Sequence, residues 1–182
     1  MLHFVTFDDL ERASREISES TRRQTLDRSA RRDGKNVFLS HSSKDAKYLQ
    51  SVILLLENHG ASVYVDVKDD ELPKVPSIET ARILRDNVRA CPKFILFVTT
   101  NSKDSKWIPW ELGLGDGQKG PRNVALIPAA AHVWDQTWAE QEYLGLYDRV
   151  IYGNFTGNPN PEWLVYDHHA NSAVRLREWL QR

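Results

Sequence analysis

Lys93-Phe94-Ile95-Leu96-Phe97-Val98-Thr99 holds five consecutive apolar residues between a lysine and a threonine. A surface helix would interrupt such a run with polar residues inside one turn, and a half-exposed strand would alternate. A short unbroken run reads instead as a strand buried on both faces, the kind found in parallel sheets covered by helices. Upstream, Asn36-Val37-Phe38-Leu39-Ser40 and Ser62-Val63-Tyr64-Val65-Asp66 have the same character; downstream, so do Asn123-Val124-Ala125-Leu126-Ile127-Pro128 and Arg149-Val150-Ile151-Tyr152. The segments between them carry helical spacing. Leu49, Val52, Ile53 and Leu56 repeat until Gly60, and Ser77 is placed to cap a helix carrying Ile78, Ala81, Leu84 and Val88. Another helix begins near Ser105, and residues 171–181 close the chain as a helix. Strand and helix alternate throughout. The pattern predicts an α/β fold, a doubly wound five-stranded parallel sheet in the order 2-1-3-4-5 with helices on both faces.

Composition narrows the function classes. Across 182 residues, 24 Lys and Arg stand against 25 Asp and Glu, for a net charge of −1. That balance gives no electrostatic case for a nucleic-acid partner or for a polybasic membrane binder. One cysteine forms no internal disulfide, and no Cys or His set has metal-ligand spacing, so no metal is expected. His168-His169 reads as a surface pair and Cys91, beside a buried strand, as core packing. The chain opens without the basic-then-apolar layout of a signal peptide, and no apolar run approaches the ~20 residues of a membrane span. The expected location is cytoplasmic, where the sequon Asn154-Phe155-Thr156 meets no glycosylating machinery.

Residues 1–35 differ from the rest. The first 20 carry five acids and two bases, and residues 21–35 carry six bases and two acids, an order that complements a helix dipole. Thr6 or Asp8 can cap its start, Leu10, Ala13 and Ile17 share one face, and Asp33-Gly34 is a stop signal. The segment is expected to be a charged helical extension, docked on the domain at 36–182 or on a partner. A mobile charged arm is the competing reading.

In a sheet of this order, the crevice opens at the carboxyl ends of the first and third strands, where the winding reverses. The first strand ends in Ser40-His41-Ser42-Ser43, the second in Asp66 and the third in Thr99-Thr100. The next helix carries Trp107, Trp110 and Glu111. Trp107 and Glu111 are four residues apart, so one helical face presents an indole beside a carboxylate. That pair suits a flat cationic ring and suggests cleavage of an N-glycosidic bond to ribose. Departure of a neutral base from a pyridinium riboside leaves an oxocarbenium-like sugar, which one carboxylate can stabilise or trap. The bland readings are specific too. Glu111 could be a solvated surface charge, His41 a helix cap, Asp66 a brace of its own loop, and both Trp107 and Trp110 cover for the sheet edge. For Trp110 cover is the favoured reading. Gly113-Leu114-Gly115-Asp116-Gly117 follows a helix rather than a strand, so it reads as a helix terminus and not as a dinucleotide-binding loop. Trp134, Trp138, Trp163 and Trp179 read as packing residues.

At these positions the chain resembles a known family. Val37-Phe38-Leu39-Ser40-His41-Ser42-Ser43-Lys44-Asp45 is similar to the opening strand and loop of bacterial Toll/interleukin-1 receptor (TIR) domains. Gly60-Ala61-Ser62-Val63-Tyr64-Val65-Asp66 resembles their second strand, and Lys106-Trp107-Ile108-Pro109-Trp110-Glu111-Leu112 resembles the Trp-x-x-aromatic-Glu pattern of those that consume NAD. The resemblance covers roughly residues 36–152. It implies a flavodoxin-like fold, NAD as substrate rather than cofactor, and Glu111 as the catalytic carboxylate. Trp107 would pack beside the nicotinamide riboside, with Ser40, His41, Ser42, Asp66 and Thr99 bordering the dinucleotide. It further implies release of nicotinamide with ADP-ribose or a cyclic isomer, self-association through the loop at 67–76, and a separate effector that reads the product, commonly in anti-phage defence. Two departures stand out: Leu72-Pro73-Lys74-Val75-Pro76-Ser77 has proline where the family often has glycine, and the glycines after Glu111 interrupt the catalytic helix.

Other classes remain open at this point. A non-catalytic TIR module would only assemble with other TIR domains, and members of that kind often lack the glutamate that Glu111 matches. A nucleoside deoxyribosyltransferase-like enzyme shares the sheet order and a carboxylate mechanism. A phosphorylated receiver domain is disfavoured because the third strand ends in Thr99-Thr100 rather than an acceptor aspartate, and no phosphate-binding loop is present.

Overall fold

The computed structural model describes residues 3–31, 34–65, 77–133, 135–139, 141–155 and 158–182. Asp33, Asp66, the loop at 67–76, Trp134 and Thr156 therefore lie outside the described residues.

The elements are β1 (Val5–Thr6), α1 (Phe7–Arg15), α2 (Glu19–Ser29), β2 (Val37–Ser40), α3 (Ala46–Glu57), β3 (Val63–Val65), α4 (Ile78–Ala90) and β4 (Lys93–Val98). They continue with α5 (Ile108–Lys119), β5 (Val124–Ala130), β6 (Asp148–Asn154), β7 (Pro161–Asp167), β8 (Ser172–Arg175) and α6 (Leu176–Gln181). Strands β3-β2-β4-β5-β6 are parallel neighbours in that order, which is 2-1-3-4-5 counted from β2. Winding reverses between β2 and β4, as the strand pattern predicts.

Alternation along each strand feeds two cores. Val37, Leu39, Ile95, Phe97, Ala125 and Ile127 face α3 and α6, while Phe38, Phe94, Leu96, Val124 and Leu126 face α4 and α5. Every residue of β4 is buried, which is why the run from Phe94 to Val98 never alternates in polarity. Ser77 caps α4 through a 3.0 Å bond from the Thr80 amide, and Leu84 and Val88 are buried. Ile78 departs from its expected core position and is 90% exposed, because it is the first helical residue and lies beyond the sheet.

The sheet continues past the five expected strands. β7 and β8 add an antiparallel hairpin to β6. At its turn Asp167 accepts 2.9 Å bonds from the His169 and Ala170 amides, and Asn171 takes the left-handed position at φ 49°. The final helix is accordingly shorter than the expected span of 171–181, because residues 172–175 are drawn into β8.

The N-terminal segment contributes two helices and a strand. β1 pairs with the far end of β5, where Val5 meets Ala129, and His3 bridges to Tyr152 of β6. Pro128 falls between the stretch of β5 paired with β6 and the stretch paired with β1, a place where a missing N–H is tolerated. Leu10 of α1 is buried against α3, and the Ser51 hydroxyl donates 2.7 Å to the Leu10 carbonyl.

The glycine run after Glu111 is not a helix terminus. α5 continues through it to Lys119 and stops at Gly120, whose φ of 74° is the left-handed conformation glycine supplies. Gly115 has a packing reason: a Cβ there would sit 2.7 Å from Cγ and Cδ2 of Phe94, so only glycine lets α5 lie this close to β4.

Candidate active site

Ser40 closes β2 and pairs in register with Leu96 of β4, so the loops that follow the two strands leave the sheet side by side. Ser40, His41, Ser42 and Thr99 are all buried there. The third contribution comes from α5. Ser105 accepts 3.3 Å bonds from the Trp107 and Ile108 amides, and Pro109 occupies the first turn, where its missing N–H costs nothing. These features start the helix at a fixed point and set Glu111 in its first turn, at the positive end of the macrodipole.

Glu111 is 2% exposed, so the solvated-charge reading does not describe it. Its Oε2 accepts a 2.5 Å bond from the Ser40 hydroxyl, joining two residues 71 apart in the chain. The first strand's end and the carboxylate, paired in the sequence only by topology, are therefore in contact. Trp107, at the start of the same helix, is half-buried and meets Trp110 edge to face, with centroids 5.6 Å apart. Trp110 also carries the Arg85 guanidinium 5.6 Å from its ring centroid, which is what a covering residue does.

Thr99 is held within a buried hydrogen-bond network. Its hydroxyl donates 2.7 Å to Oδ2 of Asp45, and Asn101 donates 2.6 Å to Oδ1 of the same carboxylate. The Thr99 oxygen also accepts from the Asn101 amide at 3.0 Å, and the Ser102 hydroxyl accepts from the Thr99 amide at 3.0 Å. Burial pushes the Asp45 carboxyl above its usual range, opposed by the bonds from Asn101 and Thr99. Sequence reading did not single out Asp45, since an aspartate just before a helix reads as an ordinary cap.

Asp66 lies outside the described residues. Trp138 and Trp179 are buried in the core as expected, Trp163 is half-buried beside Tyr152, and Cys91 is buried. Among the described residues no group of three or more His, Cys, Asp and Glu could hold a metal ion. At the switch point the structure thus brings the buried strand-end hydroxyl of Ser40 onto the buried carboxylate of Glu111, with Trp107 at the start of the same helix.

Comparison with known proteins decides the family. The model described as TIR domain matches residues 37–163, from β2 into β7. The chain belongs to the TIR domain family. Among curated proteins, this TIR domain is 38% identical over 150 residues to a Bacillus cereus (strain MSX-D12) protein named "Probable 3' cyclic ADP-D-ribose synthase ThsB'". The match covers 81% of this chain and 76% of that protein. The family match takes in both halves of the candidate site, the Ser40 strand end and the α5 carboxylate.

Proposed function

We propose that this TIR domain cleaves the nicotinamide–ribose bond of NAD+ and closes the remaining ADP-ribose into a cyclic isomer. The observation that carries the reading is Glu111, a buried carboxylate fixed by Ser40 in the first turn of α5, the helix that Trp107 opens. The relative named a cyclic ADP-ribose synthase supports the choice of substrate and of a cyclic product.

The chemistry follows from the charges. Nicotinamide in NAD+ is a cationic leaving group, so the glycosidic pair of electrons departs with it and no general acid is needed. Positive charge then develops on the ribose, and the Glu111 carboxylate offsets it at close range in a water-poor setting. A hydroxyl of the second ribose attacks the anomeric carbon to give the ring, losing its proton; attack by water gives linear ADP-ribose instead. Trp107 supplies a flat wall for the pyridinium, while Ser40, His41, Ser42, Thr99 and Asp66 border the dinucleotide. Our reading assigns the reaction to the cytoplasm. No described helix is long and apolar enough to cross a membrane. Assembly through TIR–TIR contacts and a separate effector that reads the product in anti-phage defence complete the proposal. The exposed Ile78, adjacent in sequence to the loop at 67–76, is an apolar contact that such an assembly would cover.

The test is nicotinamide release from NAD+ by the purified protein, with products separated by chromatography. Glu111→Gln should keep the fold and thermal transition and release no nicotinamide. A fully active Glu111→Gln protein would remove the assignment.

A further inference from the structure

Asp45 occupies the position just before α3, and aspartate is among the best residues for capping a helix there. It makes no side-chain cap bond. Its carboxylate reaches out of its own helix to the loop after β4, where Oδ2 and Oδ1 accept from Thr99 and Asn101 at 2.7 and 2.6 Å. The residue is 0% exposed. A buried carboxylate that forgoes the local cap for bonds 54 and 56 residues away is bound to a geometry rather than to helix stability.

That geometry lies where the chains leaving β2 and β4 part from the sheet. The chain from Ser40 to Asp45 leaves β2 and carries the hydroxyl that holds Glu111. The chain from Thr99 to Asp104 leaves β4 and leads directly to Ser105, whose oxygen starts the helix carrying Trp107 and Glu111. Asp45 is the buried bridge between these two chains, and the exposed pair of Lys44 with Asp104 spans them again at 2.6 Å. We propose that Asp45 is a positioning residue for the reaction, clamping the loops after β2 and β4 so that Ser40 and Glu111 meet. It touches neither Ser40 nor Glu111 in any bond described above and acts through the two chains. The proposal rests on the reading of Glu111 as the carboxylate that acts on NAD+.

Loss of such a clamp shows in turnover. A displacement near 1 Å at reacting groups can cost on the order of 100-fold in rate. Asp45→Ala should therefore lower kcat at least about tenfold, with KM changing much less. Asp45→Asn, which keeps an acceptor oxygen, should recover part of the loss. Thr99→Val, nearly isosteric, should lower kcat in the same direction, and the Asp45→Ala/Thr99→Val double variant should lose less than the product of the two single effects. Ser51→Ala removes a buried bond of similar length to Leu10, away from the crevice, and sets the control for stability loss alone. It should shift the thermal transition yet leave kcat per folded molecule unchanged. Asp45→Ala with wild-type kcat per folded molecule, or strictly independent effects of Asp45 and Thr99, overturns the clamp. Retained activity in Glu111→Gln would overturn the underlying reading instead, so the two failures are separate.

Discussion

Three glycines in one helix should respond to alanine with opposite signs. Gly113, Gly115 and Gly117 all lie inside α5, where glycine costs about 0.5–1 kcal/mol relative to alanine through backbone entropy. At Gly113 and Gly117 an added Cβ meets nothing within 4 Å, so alanine should recover that amount. At Gly115 the same Cβ lies 2.7 Å from Cγ and Cδ2 of Phe94. Carbon contacts settle near 3.5–4.0 Å, leaving a deficit of about 1 Å. Phe94 cannot supply it, because its ring is fully buried and stacked on Phe38 at 5.5 Å, and the clash falls at the root of the ring. The helix must lift instead, at about 1–3 kcal/mol for overpacking, less the propensity gain. For a chain of this length each kcal/mol moves the melting temperature by about 2–4 °C. Gly115→Ala should melt several degrees lower, and Gly113→Ala and Gly117→Ala one to a few degrees higher, by calorimetry or circular dichroism. Since Glu111 is one turn before Gly115 on the same helix, Gly115→Ala should also lose nicotinamide release per folded molecule. A Gly115→Ala protein stabilised like Gly113→Ala would refute the close approach of α5 to β4, and a destabilised Gly113→Ala would refute the reading of an open face.

Trp107→Ala should impair NAD+ turnover more than Trp163→Ala, which lies by β6 and β7; the reverse order in steady-state kinetics would move the site elsewhere. Leu10→Ala should cost about 2–5 kcal/mol in a denaturant titration, the range of a buried leucine, whereas a change below ~0.5 kcal/mol would mean α1 is not part of the core. Burial pushes the Cys91 thiol from its ordinary 9.0 up to about 11, so it should resist alkylation in the folded protein at pH 8 and react once unfolded. The same shift keeps a proton on the native thiol where the unfolded chain has lost it. Its contribution to stability is therefore full below pH 9 and is lost as pH rises towards 11, and a Cys91→Ala variant should show a shallower decline over that window.

The parallel core was readable because burial on both faces leaves an unbroken apolar run, which Phe94 to Val98 of β4 obeys. The hairpin of β7 and β8 was not, although Trp163-Leu164-Val165-Tyr166 is rich in strand formers. Once a chain reads as alternating strands and helices, its last segment is assigned by continuation of that pattern. The real signal was Asp167 followed by Asn171, a turn built from an Asx bond and a left-handed residue, lying between apolar segments. Helix α5 failed for a related reason. Local propensity ends a helix at Gly113, but the fold accepts the glycines because one of them admits Phe94, a tertiary cause invisible to local pattern.

The site divides along the same line. That Trp107 and Glu111 start one helix was legible since their spacing is local, set by 3.6 residues per turn, and that Ser40 lies near them was legible since strand ends converge wherever the sheet reverses. What no spacing expresses is a bond between two such ends. Asp45 looks like a helix cap in every local respect, and its sequence neighbours fit that role. Only the register of Ser40 against Leu96 brings the loop after β4 close enough to take its carboxylate. A residue can therefore satisfy a local rule in sequence and break it in space, and such a breach marks where the fold has bound two segments together. In this chain the segments so bound are the two that deliver Ser40 and Glu111, which is why the Asp45 and Thr99 variants measure the site's preorganisation more directly than removal of Glu111 itself. On the proposed reading, taking away the carboxylate abolishes the chemistry whatever its surroundings, whereas taking away the clamp leaves every reacting group present and alters only where they stand.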